Sequence, residues 1–233
     1  MDVNFKVTEP AKSEPIVFDV IFAEKVGGGR VKNCAYDLPA GVAVDAAGNA
    51  IKCYKVYEDA ESDATAIKIL KGSGVAVNDI FATGAVAVKC TAVDASNDAY
   101  DVVTVSLGVA VEAGDTLYNA LAESVEAGYY DATSGTEGAL KVVASGASDG
   151  QINLADVTPY KGSKSPLAAN DYVLWKDEVK AEPKYAPAFV LGESIPANSG
   201  DKLVKLVNGA NVRKETIQIA KDVLALMPMI AAL

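Results

Sequence analysis

The run Ala85-Val86-Ala87-Val88-Lys89-Cys90-Thr91 meets a polar stretch, Asp94-Ala95-Ser96-Asn97-Asp98, and returns through Tyr100-Asp101-Val102-Val103-Thr104-Val105. Small and β-branched apolar residues on both sides of an Asp/Asn-rich turn spell strand, turn and strand. The same pattern extends upstream. Thr65-Ala66-Ile67-Lys68-Ile69-Leu70 stops at Gly72-Ser73-Gly74, and Gly41-Val42-Ala43-Val44 turns at Asp45-Ala46-Ala47-Gly48-Asn49 to return as Ile51-Lys52-Cys53-Tyr54. Short strands at this spacing predict a mainly β protein whose body, residues 36–118, is a small barrel or sandwich. Ala and Val occupy both phases of the alternation, so the inward face of each strand is left open.

Residues 1–35 carry Pro10, Pro15, the β-prone run Ile16-Val17-Phe18-Asp19-Val20-Ile21-Phe22 and then Gly27-Gly28-Gly29. They read as an extended N-terminal arm with one strand and a glycine hinge. Residues 119–184 form an elaborated β or loop insertion: Leu117-Tyr118-Asn119-Ala120-Leu121-Ala122-Glu123 suits a short helix. Gly, Ser and Asp then prevail up to Gly150, and Tyr172-Val173-Leu174-Trp175 is the clearest strand. Residues 185–233 complete the body through Ala188-Phe189-Val190-Leu191 and Lys202-Leu203-Val204-Lys205-Leu206-Val207, the latter turned by Asn208-Gly209. A short C-terminal helix follows, with Ala220, Val223, Leu224 and Met227 on one face and Pro228 as its stop. The apolar tail Met229-Ile230-Ala231-Ala232-Leu233 is expected to pack into a core or an interface. Leu38-Pro39-Ala40-Gly41, Val111-Glu112-Ala113-Gly114 and Ile195-Pro196-Ala197-Asn198 echo one another, but turn chemistry alone explains the echo and no repeat is inferred.

Composition narrows function. The chain of 233 residues is half hydrophobic but only 7% aromatic, so the expected core is built from small and β-branched side chains and gains from oligomerisation. A net charge of −10, with Arg30 and Arg213 the only arginines, argues against nucleic acid and anionic membrane as partners. No basic, apolar leader follows Met1 and no stretch has the apolar length of a membrane span, so a cytoplasmic origin is expected. Cys34, Cys53 and Cys90 lack the paired spacing of a zinc site and read as reduced, buried residues.

The chain has no histidine, which removes imidazole bases, the Ser-His-Asp and Cys-His constellations and the commonest zinc ligand. The acidic residues Glu58, Asp59, Glu61 and Asp63 depart from the EF-hand spacing and read as a solvated loop rather than a calcium site. Asp94, Asn97, Asp98 and Asp101 read as turn formers. Gly27-Gly28-Gly29-Arg30 lacks the Lys-Ser/Thr and the helix of a phosphate loop. No catalytic, cofactor-binding or metal-binding set is assigned, and no cofactor. Carboxylate-based glycoside hydrolysis ranks below a carbohydrate-binding or adhesive surface, for which Tyr129, Tyr130, Tyr172 and Trp175 are the candidate residues, and both rank below packing of these aromatics in the core.

Two stretches carry a resemblance. Ile67-Lys68-Ile69, Lys71-Gly72-Ser73-Gly74, Val77-Asn78-Asp79, Val86-Ala87-Val88, Val93-Asp94-Ala95-Ser96-Asn97, Leu107-Gly108 and Gly114-Asp115-Thr116-Leu117 form the first. The second is Tyr185-Ala186-Pro187, Phe189-Val190-Leu191-Gly192, Val207-Asn208-Gly209-Ala210-Asn211-Val212-Arg213-Lys214-Glu215-Thr216 and Val223-Leu224-Ala225-Leu226-Met227-Pro228. Together, over about half the chain, they resemble the head-fibre and capsid-decoration (auxiliary capsid) proteins of tailed phages and prophages of gut Bacteroidales. The resemblance implies a non-enzymatic virion protein, made in the host bacterial cytoplasm and seated on the capsid surface. It implies a homotrimer whose partners are the major capsid protein or other capsid subunits; a glycan ligand is a separate expectation that rests on the aromatic group above.

Overall fold

The computed structural model describes residues 16–124, 127–158, 166–177 and 181–233. Among them the chain is mainly β, with eighteen strands, one 3-10 turn and a single five-residue helix. It divides into two compact units. The first gathers the residues up to Cys53, Gly72–Gly74 and Tyr185–Leu233; the second takes Tyr54–Lys71 and Val75–Lys184. Residues 36–53, grouped by their sequence with 54–118, thus belong with the two ends of the chain.

The first unit opens with β1 (Phe18–Glu24), β2 (Gly29–Val31) and β3 (Ala43–Val44), and β4 (Cys53–Lys55) marks the passage to the second. The second unit continues with β5 (Ala66–Leu70), β6 (Ile80–Thr83), β7 (Val86–Lys89), β8 (Ala92–Asp94), β9 (Tyr100–Thr104) and β10 (Thr116–Asn119). It ends with β11 (Gly128–Ala132), β12 (Leu140–Val143), β13 (Gln151–Asn153), a 3-10 turn (Leu154–Asp156) and β14 (Tyr172–Lys176). The chain then returns to the first unit as β15 (Phe189–Leu191), β16 (Lys202–Val204), β17 (Leu206–Val212), helix α1 (Lys221–Ala225) and β18 (Ile230–Ala232).

In the first unit the main sheet runs β1-β17-β15-β3, with β18 parallel on β17, and β2 pairs with β16 in a separate ribbon. The second unit holds the sheets β4-β10-β6-β7, β5-β9-β8 and β11-β14-β12-β13. None of these closes into a barrel; the sheets are short and open. The predicted hairpin at Asp45 is present. The Asp45 carboxylate accepts from the N–H groups of Ala47 and Asn49 at 2.9 and 2.7 Å, and Val44 bridges Ala50.

Each unit has its own core. In the first, Val31, Leu38, Val44, Leu191 and Leu206 pack together. In the second, Tyr54 stacks on Phe81 with ring centroids 4.3 Å apart, enclosed by Ile69, Val103 and Leu117. A smaller cluster, Val142, Leu167 and Val173, lies under the last sheet of that unit. The fully buried aromatics among the described residues, Tyr54, Phe81 and Tyr118, all belong to the second unit, where each ring buries more area than a valine. Tyr54 carries its hydroxyl inward and donates it to Asp79 Oδ2 at 2.8 Å, which also accepts from the Ala76 N–H at 2.9 Å. Burial of the phenol is thereby matched by a partner.

Three local expectations are overturned. The segment expected to be a helix at 117–123 begins as strand β10, because it lies between β4 and β6 and buries Leu117 and Tyr118 on its two faces. Asn119 follows them into the sheet, its side chain accepting from the Ile80 N–H at 3.0 Å. Asn208-Gly209 does not turn the chain back: β17 continues through it, with shifts of its register against β1 on both sides of Gly209. Gly209 is required there by close approach, since a Cβ on it would stand 2.7 Å from Phe22 Cε2 and 2.8 Å from Ala23 Cβ. Nor are Gly27, Gly28 and Gly29 a free hinge. The Gly28 N–H donates to Lys25 O at 2.9 Å, both Gly27 and Gly28 adopt positive φ, and a Cβ on Gly28 would lie 2.6 Å from Val204 O. The glycines form a tight turn that lets β2 close against β16.

Helix α1 ends before Pro228 as expected, burying Val223, with Ala220 and Met227 buried on either side of it. Of the apolar tail, Ile230 is buried in β18, whereas Met229 and Leu233 stay exposed.

Candidate interaction surfaces

The aromatic residues singled out from sequence fall on one sheet but on two faces. β11 and β14 are antiparallel, with Tyr129 opposite Trp175, Tyr130 opposite Leu174 and Ala132 opposite Tyr172. Directly opposed residues share a face and neighbours along a strand alternate. Tyr129 and Trp175 therefore lie on the face that carries Val142 and Val173, while Tyr130 and Tyr172 lie on the other. The Tyr129 and Trp175 rings meet nearly edge-on, centroids 5.2 Å apart at 74°. The indole N–H donates to Asp177 Oδ1 at 2.8 Å. Trp175 nonetheless keeps 52% of its surface exposed. On the opposite face Lys176 Nζ stands 5.8 Å from the Tyr130 ring centroid.

A second aromatic pair was not singled out from sequence. Tyr57 and Tyr100 meet with centroids 4.9 Å apart, and Lys68 Nζ lies 4.9 Å over the Tyr100 ring while pairing with Glu58 at 2.6 Å. Leu70, opposite Tyr100 in the β5–β9 pair, is exposed beside them. The two tyrosines are 43 positions apart in the sequence, and only the pairing of β5 with β9 and the Tyr57 N–H bond to Lys68 O bring them together.

In the first unit the notable surface is an edge. Strand β1 pairs with β17 on one side only, and no strand among the described residues pairs with its other side. Val20 and Phe22 on it are 53% and 56% exposed. Asp19 and Glu24 are engaged by Arg213 at 2.7 Å and Lys205 at 2.8 Å.

The charged clusters resolve into local structure. Glu58 pairs with Lys68, and Asp59 Oδ1 accepts the Ala113 N–H at 2.7 Å. Asp94 Oδ1 accepts the Ser96 N–H at 3.0 Å, a bond that, with the Ser96 side chain, holds the Asp94 carboxyl below its usual range. Asn97 accepts from the Ala99 N–H at 2.8 Å, and the buried Asp101 pairs with Lys71 at 2.6 Å. Arg30, beside the glycine turn, pairs with Asp201 at 3.1 Å. Among the described residues no group of three or more carboxylate or thiol side chains converges as a metal site.

Cys34, Cys53 and Cys90 are all free thiols; only Cys90 is buried as expected, Cys34 and Cys53 being half-buried residues. Burial pushes Cys53 up to about 12, partly offset by a hydrogen bond with the Ala220 backbone. Burial also raises Cys34 and Cys90, whose Sγ lies 3.2 Å from Ala92 O. A raised thiol pKa is the reverse of what nucleophilic chemistry needs.

No protein-family model, no curated protein and no solved structure matches the chain.

Proposed function

We propose that the chain is a non-enzymatic structural subunit that decorates the outside of a bacteriophage capsid, as a head fibre or auxiliary protein binding the major capsid protein or another capsid subunit. The observation that carries this reading is the β1 edge. Seven residues long, with no proline and no lysine, it exposes Val20 and Phe22 beside a row of backbone groups that no described strand pairs. Proteins that remain alone blunt such edges; those that assemble keep them for strand addition or apolar docking. Register shifts along β1 and the charges of Asp19 and Glu24 limit simple strand addition, so apolar docking through Val20 and Phe22 is the mode favoured. The resemblance of residues 67–117 and 185–228 to head-fibre and decoration proteins supports the same reading and adds the homotrimer as the expected assembly.

The test is quantitative mass spectrometry of purified particles, reading copies of this chain per major capsid protein. A fixed stoichiometry that falls in a Phe22→Glu variant is the expected result. Absence of the wild-type chain from particles overturns the proposal.

A further inference from the structure

The geometry of Trp175 points to a second role, independent of the capsid reading and located in the other unit: we infer that its indole is the floor of a subsite for a neutral pyranose sugar. Single exposed apolar side chains are common, but this one is held in place. Tyr129 meets it at 74° from the neighbouring strand, and Asp177 takes its N–H at 2.8 Å, so the ring is fixed from two directions while 52% of the residue faces solvent. A ring fixed before binding loses little rotational freedom when a ligand stacks on it.

The shape of the pair selects a flat ligand. With centroids 5.2 Å apart and one ring edge-on, Tyr129 and Trp175 fill the space between themselves, leaving an open platform and not a cage around a cation. The C–H face of a pyranose is apolar and matches an indole face, while its hydroxyls need acceptors at the rim. Asp177 supplies one: a carboxylate has about four lone-pair positions, and the indole N–H occupies a single one. The Asp177 carboxylate and a net charge of −10 repel sialic and uronic acids, which makes the sugar neutral. The Tyr130–Tyr172 face plays no part in this site.

Trp175 is the only tryptophan of the chain, so its emission reports on this site alone. The experiment combines an array of neutral and sialylated glycans with fluorescence titration of the full chain by lactose and cellobiose, with choline chloride and N-acetylneuraminic acid as contrasts. The expected result is binding to neutral glycans on the array and a saturable emission change with at least one neutral disaccharide. Asp177→Ala weakens that response about tenfold, the effect of losing one good polar contact. Trp175→Ala removes array binding, whereas Tyr172→Ala on the far face retains it. No neutral glycan bound on the array, binding that survives Trp175→Ala, or saturation by choline and not by sugar each overturns the inference. Circular dichroism of each variant, matching the wild type, establishes that lost binding is not lost folding. Because the readout uses free protein, its failure leaves the particle stoichiometry untouched, and the converse holds.

Discussion

The backbone N–H of Ala197 donates to Oδ1 of Asp37 at 2.7 Å, while Leu38, next to Asp37, exchanges both backbone hydrogen bonds with Ile195. The second unit contains the same arrangement. Ala113 donates to Asp59 Oδ1 at 2.7 Å, and Ala60, next to Asp59, exchanges both bonds with Val111. Across the Leu38–Ile195 bridge a mirrored contact runs from the Ala40 N–H to Ser194 Oγ at 3.0 Å. In all three places the alanine is followed by a residue at positive φ, Gly41, Gly114 or Asn198. The side chain before the bridge thus ties down the turn that follows the bridge partner.

Removing that tie is expected to cost a modest amount. Asp37→Ala and Asp59→Ala each lose about 0.5–1 kcal/mol, the value of an exposed side chain to backbone hydrogen bond, and Asp37→Asn retains more because it keeps an acceptor. Urea unfolding checks this, with the two variants read separately since they fall in different units.

The contact of Phe22 with Gly209 makes a sharper prediction. Gly209→Ala forces a methyl into the Phe22 ring and the Ala23 methyl and is expected to destabilise the first unit by about 1–3 kcal/mol. Pairing it with Phe22→Ala relieves part of the clash, so the double variant loses less than the sum of the two single ones in thermal melts.

In the second unit the Tyr54 hydroxyl can be removed without disturbing the ring stack. Tyr54→Phe leaves the buried Asp79 short of a donor and is expected to cost about 1–3 kcal/mol. Chemical denaturation followed by the near-ultraviolet signal of the unit measures it.

Cys53 gives a pH dependence with a definite sign. Its folded pKa of about 12 lies above the unfolded value of about 8.5, so the folded state holds the proton longer. The stabilisation from the neutral buried thiol is complete below the unfolded pKa and is lost as pH rises from there towards 12. In a Cys34→Ser, Cys90→Ser background, a maleimide at mildly alkaline pH labels Cys53 only after urea is added. Labelling of the native protein at the unfolded rate contradicts this.

Much of the fold was legible where local chemistry decides it. Asp45, Gly48 and Asn49 make a turn that needs no tertiary help, and Pro228 stops a helix wherever it stands. What failed was decided by distant residues. Asn208-Gly209 is the strongest short hairpin signal, yet Phe22, far away in sequence, packs into the space of the missing side chain and the strand continues. Leu117 and Tyr118 suit helix or strand equally until β4 and β6 flank them. The described part of the arm, from residue 16, is also part of the body, because β1 pairs with β17, while residues 1–15 lie outside the described residues. The three echoing turns were visible as sequence, but their shared geometry depends on Asp37, Asp59 and Ser194, which lie outside the echoes. The carbohydrate candidates were named as a group of four, whereas strand alternation divides them two and two.

Pairing Phe18 with Val212 joins strands separated by nearly the whole described sequence. A ribosome finishes the second unit at Lys184, but β1 has no neighbour to join until residues 206–212 have emerged. The β1 edge therefore forms only after β17 has been made. A product that stops before residue 206 carries the aromatic sheet without the edge, so the two surfaces arise at different moments of synthesis.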